Sequence, residues 1–442
     1  MATLTHPLPA QPVEPSLGAA PALPVSSARA HWILLLVTLV YAVNFIDRNI
    51  LNVLLQPIKQ EFQLSDTMLG FMSGIGFTTL YVLASLPLAR LADRGSRVVV
   101  ISSCLAVWSA MTALCGLAGS ALQLVLARCV VGVAEAGSGG PGQALLADVF
   151  PKEKRARAMS LLATATFLGV MLAFVLGSAI NKAWGWRMVF VAVGLPGLLL
   201  AVVMALTLRG LPRASGAGTA ARNSAPRIAD ALRFLGSQRS IVLATLAFCL
   251  SSFASAAIMT WVTPMLQRVH GLSNLQAGLM AGPVLGAAGI VGGVIAALVM
   301  TRLSMRDMRW TLWAAALSMA FAAPAMAAFC FAPSPGSALA ALALTTACSG
   351  FQIGPFVAAL QSATQPRLRA LTGALNMAAT TLLGWGLGPL VVGVLSDHLS
   401  PGLGAQALRW AMLVGPAALL AGAAVAMVAA RSLPDDIERA TR

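Results

Sequence analysis

The sequence predicts an all-α membrane protein, with about twelve transmembrane helices in two pseudo-symmetric six-helix bundles. Three observations predict it. The chain of 442 residues is 58% hydrophobic and only 10% charged, where a soluble domain carries about 25% charged residues. Its mean hydropathy is +0.83. Its apolar residues fall in long runs, and its Lys and Arg residues fall in short clusters between those runs.

The first 31 residues are rich in Pro, Ala and Ser and lack a basic segment followed by an apolar core. They read as a disordered cytoplasmic tail rather than a signal peptide. Apolar runs follow at roughly 32–54, 67–91, 98–119, 121–149, 158–180 and 186–208, so residues 32–208 form the first bundle. Residues 209–239 carry Pro212, Pro226 and six arginines and read as a cytoplasmic central loop. Six more runs, at roughly 240–266, 274–300, 309–331, 337–361, 370–395 and 405–431, form a second bundle over 240–431. Residues 432–442 are expected to be a cytoplasmic tail. A membrane helix needs about 20 apolar residues. The runs are too long and continuous for barrel strands, which alternate at every second residue. A helix also satisfies its own backbone groups in lipid.

Of the 29 Lys and Arg residues, 22 fall on one side of the membrane if the N-terminus is inside, and five fall on the other. That imbalance predicts both termini in the cytoplasm, and the location expected is a bacterial inner membrane. Trp184 and Trp186 suit an outer interfacial belt and Trp310 an inner one. The halves echo each other: Pro151 with Lys152, Lys154 and Arg155 precedes the fifth run, and Pro366 with Arg367 and Arg369 precedes the eleventh. Weak internal symmetry of this kind marks repeat-built membrane proteins.

The formal net charge is +15. It is dispersed between apolar runs rather than gathered in one stripe, which argues against nucleic-acid binding and suits contact with anionic lipid. The six cysteines sit singly in apolar stretches with no metal-ligand spacing, and the four histidines lie in tails or at run ends. No nucleophile–base pair, metal cluster or phosphate loop is present, so no enzyme, metal or cofactor is expected.

Ionisable groups inside apolar runs are the informative residues, since each costs roughly 2.5–3.5 kcal/mol at a helix centre. The first run carries Asn44, Asp47, Arg48 and Asn52 on one helical face, with Tyr41 a turn earlier. The fourth carries Arg128 and Glu135, nearly two turns apart and roughly 10 Å along the axis. Asp47 and Arg128 fall at similar depth. Two acids and two bases therefore predict a buried network of Asp47, Arg48, Arg128 and Glu135. In one reading an acid there exchanges a proton; in the plainer one the network is a static brace. The seventh to eleventh runs offer Gln352, Gln361 and Asn376, with Trp385 between Gly384 and Gly386, as a weakly polar cavity wall. Gln and Asn in such places also serve as helix-packing glue.

At these residues the chain resembles a known family. Leu91-Ala92-Asp93-Arg94-Gly95-Ser96-Arg97 resembles the signature loop of the major facilitator superfamily, with Ala89 and Ser96 where that signature has glycines. Arg128-Cys129-Val130-Val131-Gly132 looks like its second motif. Asn44-Phe45-Ile46-Asp47-Arg48, Gly132-Val133-Ala134-Glu135 and Ala147-Asp148-Val149-Phe150-Pro151 are similar to the Spinster-like branch. The organic-anion symporter branch shares the first two patterns. The resemblance implies the major facilitator fold and alternating access by rocking of two halves. It makes Asp47 the protonation site, with Glu135 joining in proton coupling, and Arg48 and Glu135 its partners and cavity lining. Asp93, Arg94, Arg97 and Asp148 become a cytoplasmic latch, one-sided because Thr301-Arg302 stands where the second copy would be.

The expected function is secondary transport, by a monomer, of a small amphipathic or anionic solute such as a lysophospholipid, with protons as coupling ion. A sugar-acid or aromatic-acid symporter is the alternative. There Arg48 and Arg128 would bind the carboxylate.

Overall fold

The computed structural model describes residues 25–211 and 228–441, and no strand occurs among them. Among the described residues, ten helical segments are long and apolar enough to cross a membrane, and two of these are doubled. Glu153–Thr207 has 55 residues, about 80 Å if straight, against a hydrocarbon core of about 30 Å. Gly185, at φ 80 and ψ 166, turns the chain back inside it. Pro366–Thr441 spans 76 residues and is interrupted at Gly404, where φ is 52. Both glycines take a left-handed φ that a side chain disfavours. Dividing each doubled segment yields twelve spans.

The first span is Ser27–Phe62. The second is broken at Gly74 into Asp66–Ser73 and Ile75–Arg94. Arg97–Cys115 is the third. The fourth comprises Ala121–Glu135 and Gly139–Val149. The fifth and sixth lie either side of Gly185 within Lys152–Thr207. Then come Arg239–His270, Asn274–Arg306, Trp310–Cys330 and Pro335–Ser362 as spans seven to ten. The eleventh is Arg369–Ala379 and Leu387–Leu403, joined by a π-helical turn at Thr380–Gly386. Ala407–Ala411 and Val414–Thr441 make the twelfth. An even number of spans brings Ser27 and Thr441 to one end of the bundle, here the terminal end; the other is the far end.

Helices outrun the apolar stretches that announce them. The first helix begins at Ser27, inside the stretch expected to be tail, because the Ser26 hydroxyl accepts the Arg29 N–H and caps it. The last runs to Thr441, and its Asp436 carboxylate accepts the Ser240 N–H of the seventh span. Hydropathy marks the part of a helix that lipid surrounds, not where the helix ends. Within the expected central loop, Ile228–Ser237 is a short helix. The rest of the expected loop, over 212–227, and the expected tail over 1–24 lie outside the described residues. Trp184 is exposed, but Trp186 is buried and its indole N–H donates to Glu61 at 2.6 Å, so it is not a belt residue.

Large apolar side chains such as Leu83, Leu199, Leu298 and Phe321 are about two-thirds exposed. So much outward-facing apolar area suits lipid, not water. The halves meet along two glycine-lined seams. On the eighth span Gly278, Gly282, Gly286 and Gly289 press on Ser178, Phe174, Met171 and Phe167 of the fifth. Between the second and eleventh, a Cβ at Gly70, Gly74 or Gly393 would collide with the backbone oxygen of Pro389, Gly386 or Asp66. Small residues let backbones approach this closely.

Candidate functional site

The charged residues of the first and fourth spans meet in the middle of the first bundle. Arg128 donates to Asp47 at 2.9 Å, and the Thr112 hydroxyl of the third span donates to the same carboxylate. Asp47 is 1% exposed and Arg128 3%. One residue along, Arg48 donates to Glu135 through Nη2 at 3.0 Å and Nε at 3.3 Å. The Glu135 side chain is wholly buried, whereas that of Arg48 is 26% exposed. Both Arg48 bonds fall on Oε2, and Glu135 Oε1 has no hydrogen-bond partner among the described residues.

Local sequence explains the arrangement. Asp47 and Arg48 are adjacent on a helix, so they point about 100° apart and engage different partners. Arg128 and Glu135 lie seven residues apart on the facing helix and meet one each. Phe77 of the second span stands between the pairs, 5.4 Å from the Arg48 guanidinium and 5.2 Å from that of Arg128. Tyr81 lies 4.7 Å below Arg48 and stacks on Phe77. Gly132 makes room for Phe77, whose ring a Cβ there would meet at 3.1 Å. The helix of the fourth span stops at Glu135, and the Ser138 hydroxyl accompanies the break by donating to the Glu135 carbonyl at 2.9 Å. The site is thus two ion pairs divided by an aromatic ring. An ion pair so enclosed holds its charge only while the partner stays.

Other residues singled out from sequence fall around it or away from it. Tyr41 donates its hydroxyl to the Gly139 carbonyl at 2.6 Å, tying the first span to the restart of the fourth. Asn44 is buried with its amide nitrogen unpartnered among the described residues, and Asn52 donates to Asn49 at 3.4 Å. Gln352 is fully buried, accepts from Ser251 and faces Ser318 at 3.5 Å, so it braces the seventh, ninth and tenth spans. Gln361 and Trp385 are exposed, and Asn376 is buried with its side-chain Oδ1 unpartnered among the described residues. These four do not converge with the charge network.

Toward the terminal end, Arg97 bonds to Asp148 and, at 3.3 Å, to Asp93, while Arg94 is exposed. This trio lies wholly within the first half. At the far end, sequence reasoning passed over a second cluster: Lys59, Asp66, Arg268 and Asp397. Each sits at the edge of an apolar run, where a charge is cheap. A usable signal was present, since Leu64-Ser65-Asp66 and Leu395-Ser396-Asp397 repeat one tripeptide at the far ends of the second and eleventh spans.

A family model, the Major Facilitator Superfamily, matches residues 37–389. An MFS-type efflux pump of Mycolicibacterium smegmatis is 32% identical over 407 residues, covering 91% of this chain and 93% of that one. A probable L-galactonate transporter of Escherichia coli is 27% identical over 58% of this chain and 59% of its own. The sphingosine-1-phosphate transporter SPNS2 of Danio rerio is 28% identical over 59% of this chain and 54% of its own. Among solved structures, a bacterial homologue of the human lysosomal transporter Spinster, inward-facing and unoccupied, superposes with a TM-score of 0.85. It is 28% identical and covers 93% of this chain and 99% of that one.

Proposed function

The chain belongs to the Major Facilitator Superfamily, and from that premise we propose that it is a proton-coupled secondary transporter working by alternating access. It is a multi-pass membrane transporter of Spinster-like architecture and not an enzyme. The cargo we assign is a small amphipathic or anionic solute of the lysophospholipid type. The imbalance of Lys and Arg supports cytoplasmic termini in the bacterial inner membrane. The terminal end is then the inner side and the far end the outer.

The observation that carries the reading is the doubled ion pair: two carboxylates enclosed in the membrane, each with one arginine. Protonating Asp47 removes one charge from a balanced set of four and releases Arg128 from it. A change in one buried pair biases one global state over another. A second reading rests on Arg48. Alone of the four it is part-exposed, and it lies against Phe45, Phe77 and Tyr81. A guanidinium on an aromatic wall suits a carboxylate as well as a phosphate, and a sugar acid is the cargo named for one relative.

Flux in proteoliposomes under an imposed pH gradient separates the two. Lysophospholipid movement that disappears in Asp47→Asn, with the protein still folded, supports the first reading. Movement of sugar or aromatic acids alone transfers the assignment to the second. Unchanged pH-driven flux in Asp47→Asn removes Asp47 from coupling.

A further inference from the structure

The far-end cluster joins the two halves. Asp66, first residue of the second span, is 1% exposed. Arg268, near the end of the seventh span, grips it with both terminal nitrogens, at 2.6 and 2.8 Å. Lys59 of the first span and the Ser396 hydroxyl, at 2.7 Å, hold the same carboxylate. The Arg268 Nε reaches back to Gln56 at 2.9 Å. The Asp397 carboxylate, from the eleventh span, accepts the N–H groups of Asp66 and Thr67 at 2.9 and 2.7 Å. One half thus caps a helix of the other, with negative charge at a positive helix end. Nearby, Asn274 of the eighth span donates to the Val53 carbonyl at 2.7 Å.

The terminal end differs. Among the described residues, Arg97 pairs there with Asp93 and Asp148, and Arg439 with Asp436, each within one half. The far-end contacts bolt the halves together at the end we assign to the outside.

We propose that Asp66, Arg268 and Asp397 form the outer gate of this transporter and set how much of it is closed to the outside. This rests on the topology of the proposed function for the word outer, and not on its cargo or coupling ion. The chemistry suits a gate that must also open. Two cations and two carboxylates balance, and two of each sign divide evenly between the halves: Lys59 and Asp66 on one, Arg268 and Asp397 on the other. Parting them strands no net charge on either side. Removing one member does, and it penalises the closed, dehydrated arrangement more than the open, hydrated one.

Distances between spin labels test it. Labels at Leu117→Cys and Ala405→Cys, on exposed far-end positions of the two halves, are introduced after replacing the six native cysteines. Distance distributions are measured in lipid nanodiscs without substrate or pH gradient. Asp66→Asn and Arg268→Gln are each expected to raise the long-distance population about tenfold relative to the short one, with the double variant no further shifted than either single. Glu61→Gln is the control. It removes the charge from a far-end contact, to Arg187 at 2.7 Å and Trp186 at 2.6 Å, that lies within one half, and it should leave the distribution as it was. Unchanged distances in both gate variants overturn the proposal, as does an equal shift in Glu61→Gln. Failure of the flux experiment leaves this test intact, because it needs no transport.

Discussion

Asp47 and Arg128 are the residues at which burial and charge conflict most. Each is under 5% exposed, and a buried charge that loses its partner costs about 3–5 kcal/mol. Arg128→Met should therefore lower the unfolding temperature in detergent strongly. The double variant Asp47→Leu with Arg128→Met should regain most of it, because an apolar pair of similar volume replaces a dehydrated ion pair. Transport should not return with stability. Full transport in the double variant would reduce the network to a brace. These residues were legible in the sequence because charge at a helix centre is expensive and so speaks for itself. Asp66 and Asp397 were marked only by their repeated Leu-Ser-Asp tripeptide. At the ends of apolar runs a carboxylate is as ordinary as a loop residue, and only the fold shows that Arg268 lies against one of them. Gln352 was ambiguous for the opposite reason: an amide in a membrane helix serves a cavity or a neighbour equally well, and here Ser251 and Ser318 claim it.

At the scale of elements, the length of the apolar runs predicted twelve helices but not their interruptions. The breaks at Gly74 and at Ala136–Ser138, and the π-turn at Thr380–Gly386, leave hydropathy untouched. They depend on which backbone a helix must pass. Gly74 lies against the Gly386 carbonyl, and the π-turn therefore sits on the seam between the halves. The glycines of the eighth span have the same cause. Gly282 has Phe174 and Met171 of the fifth span where a side chain would go. Gly282→Leu should cost about 1–3 kcal/mol by overpacking and abolish transport, since rocking halves must slide along this seam. Gly373, in the helix Arg369–Ala379, has open space where its Cβ would stand, and Gly373→Ala should stabilise its helix by up to about 1 kcal/mol. Thermal unfolding of the two variants checks both. Equal costs would show that packing against the fifth span is not what keeps Gly282 small.

The whole molecule carries a formal charge of +15, yet the charges of its central network and of its far-end cluster cancel. The central network holds two arginines and two carboxylates and lies entirely in one half. The far-end cluster divides into one cation and one carboxylate on each half. Rocking two such bodies against each other displaces no net charge of these clusters through the membrane's electric field. A single uncompensated charge crossing it would be worth about 2.3 kcal/mol per 100 mV, enough to let voltage alone choose the conformation. The empty carrier should therefore be electrically silent. Spin-label distances in vesicles held at a potential should match those at zero potential, and a voltage-driven shift would reveal a gating charge. Any current this protein generates then belongs to its passengers, the cargo and its ion, rather than to the machine that moves them.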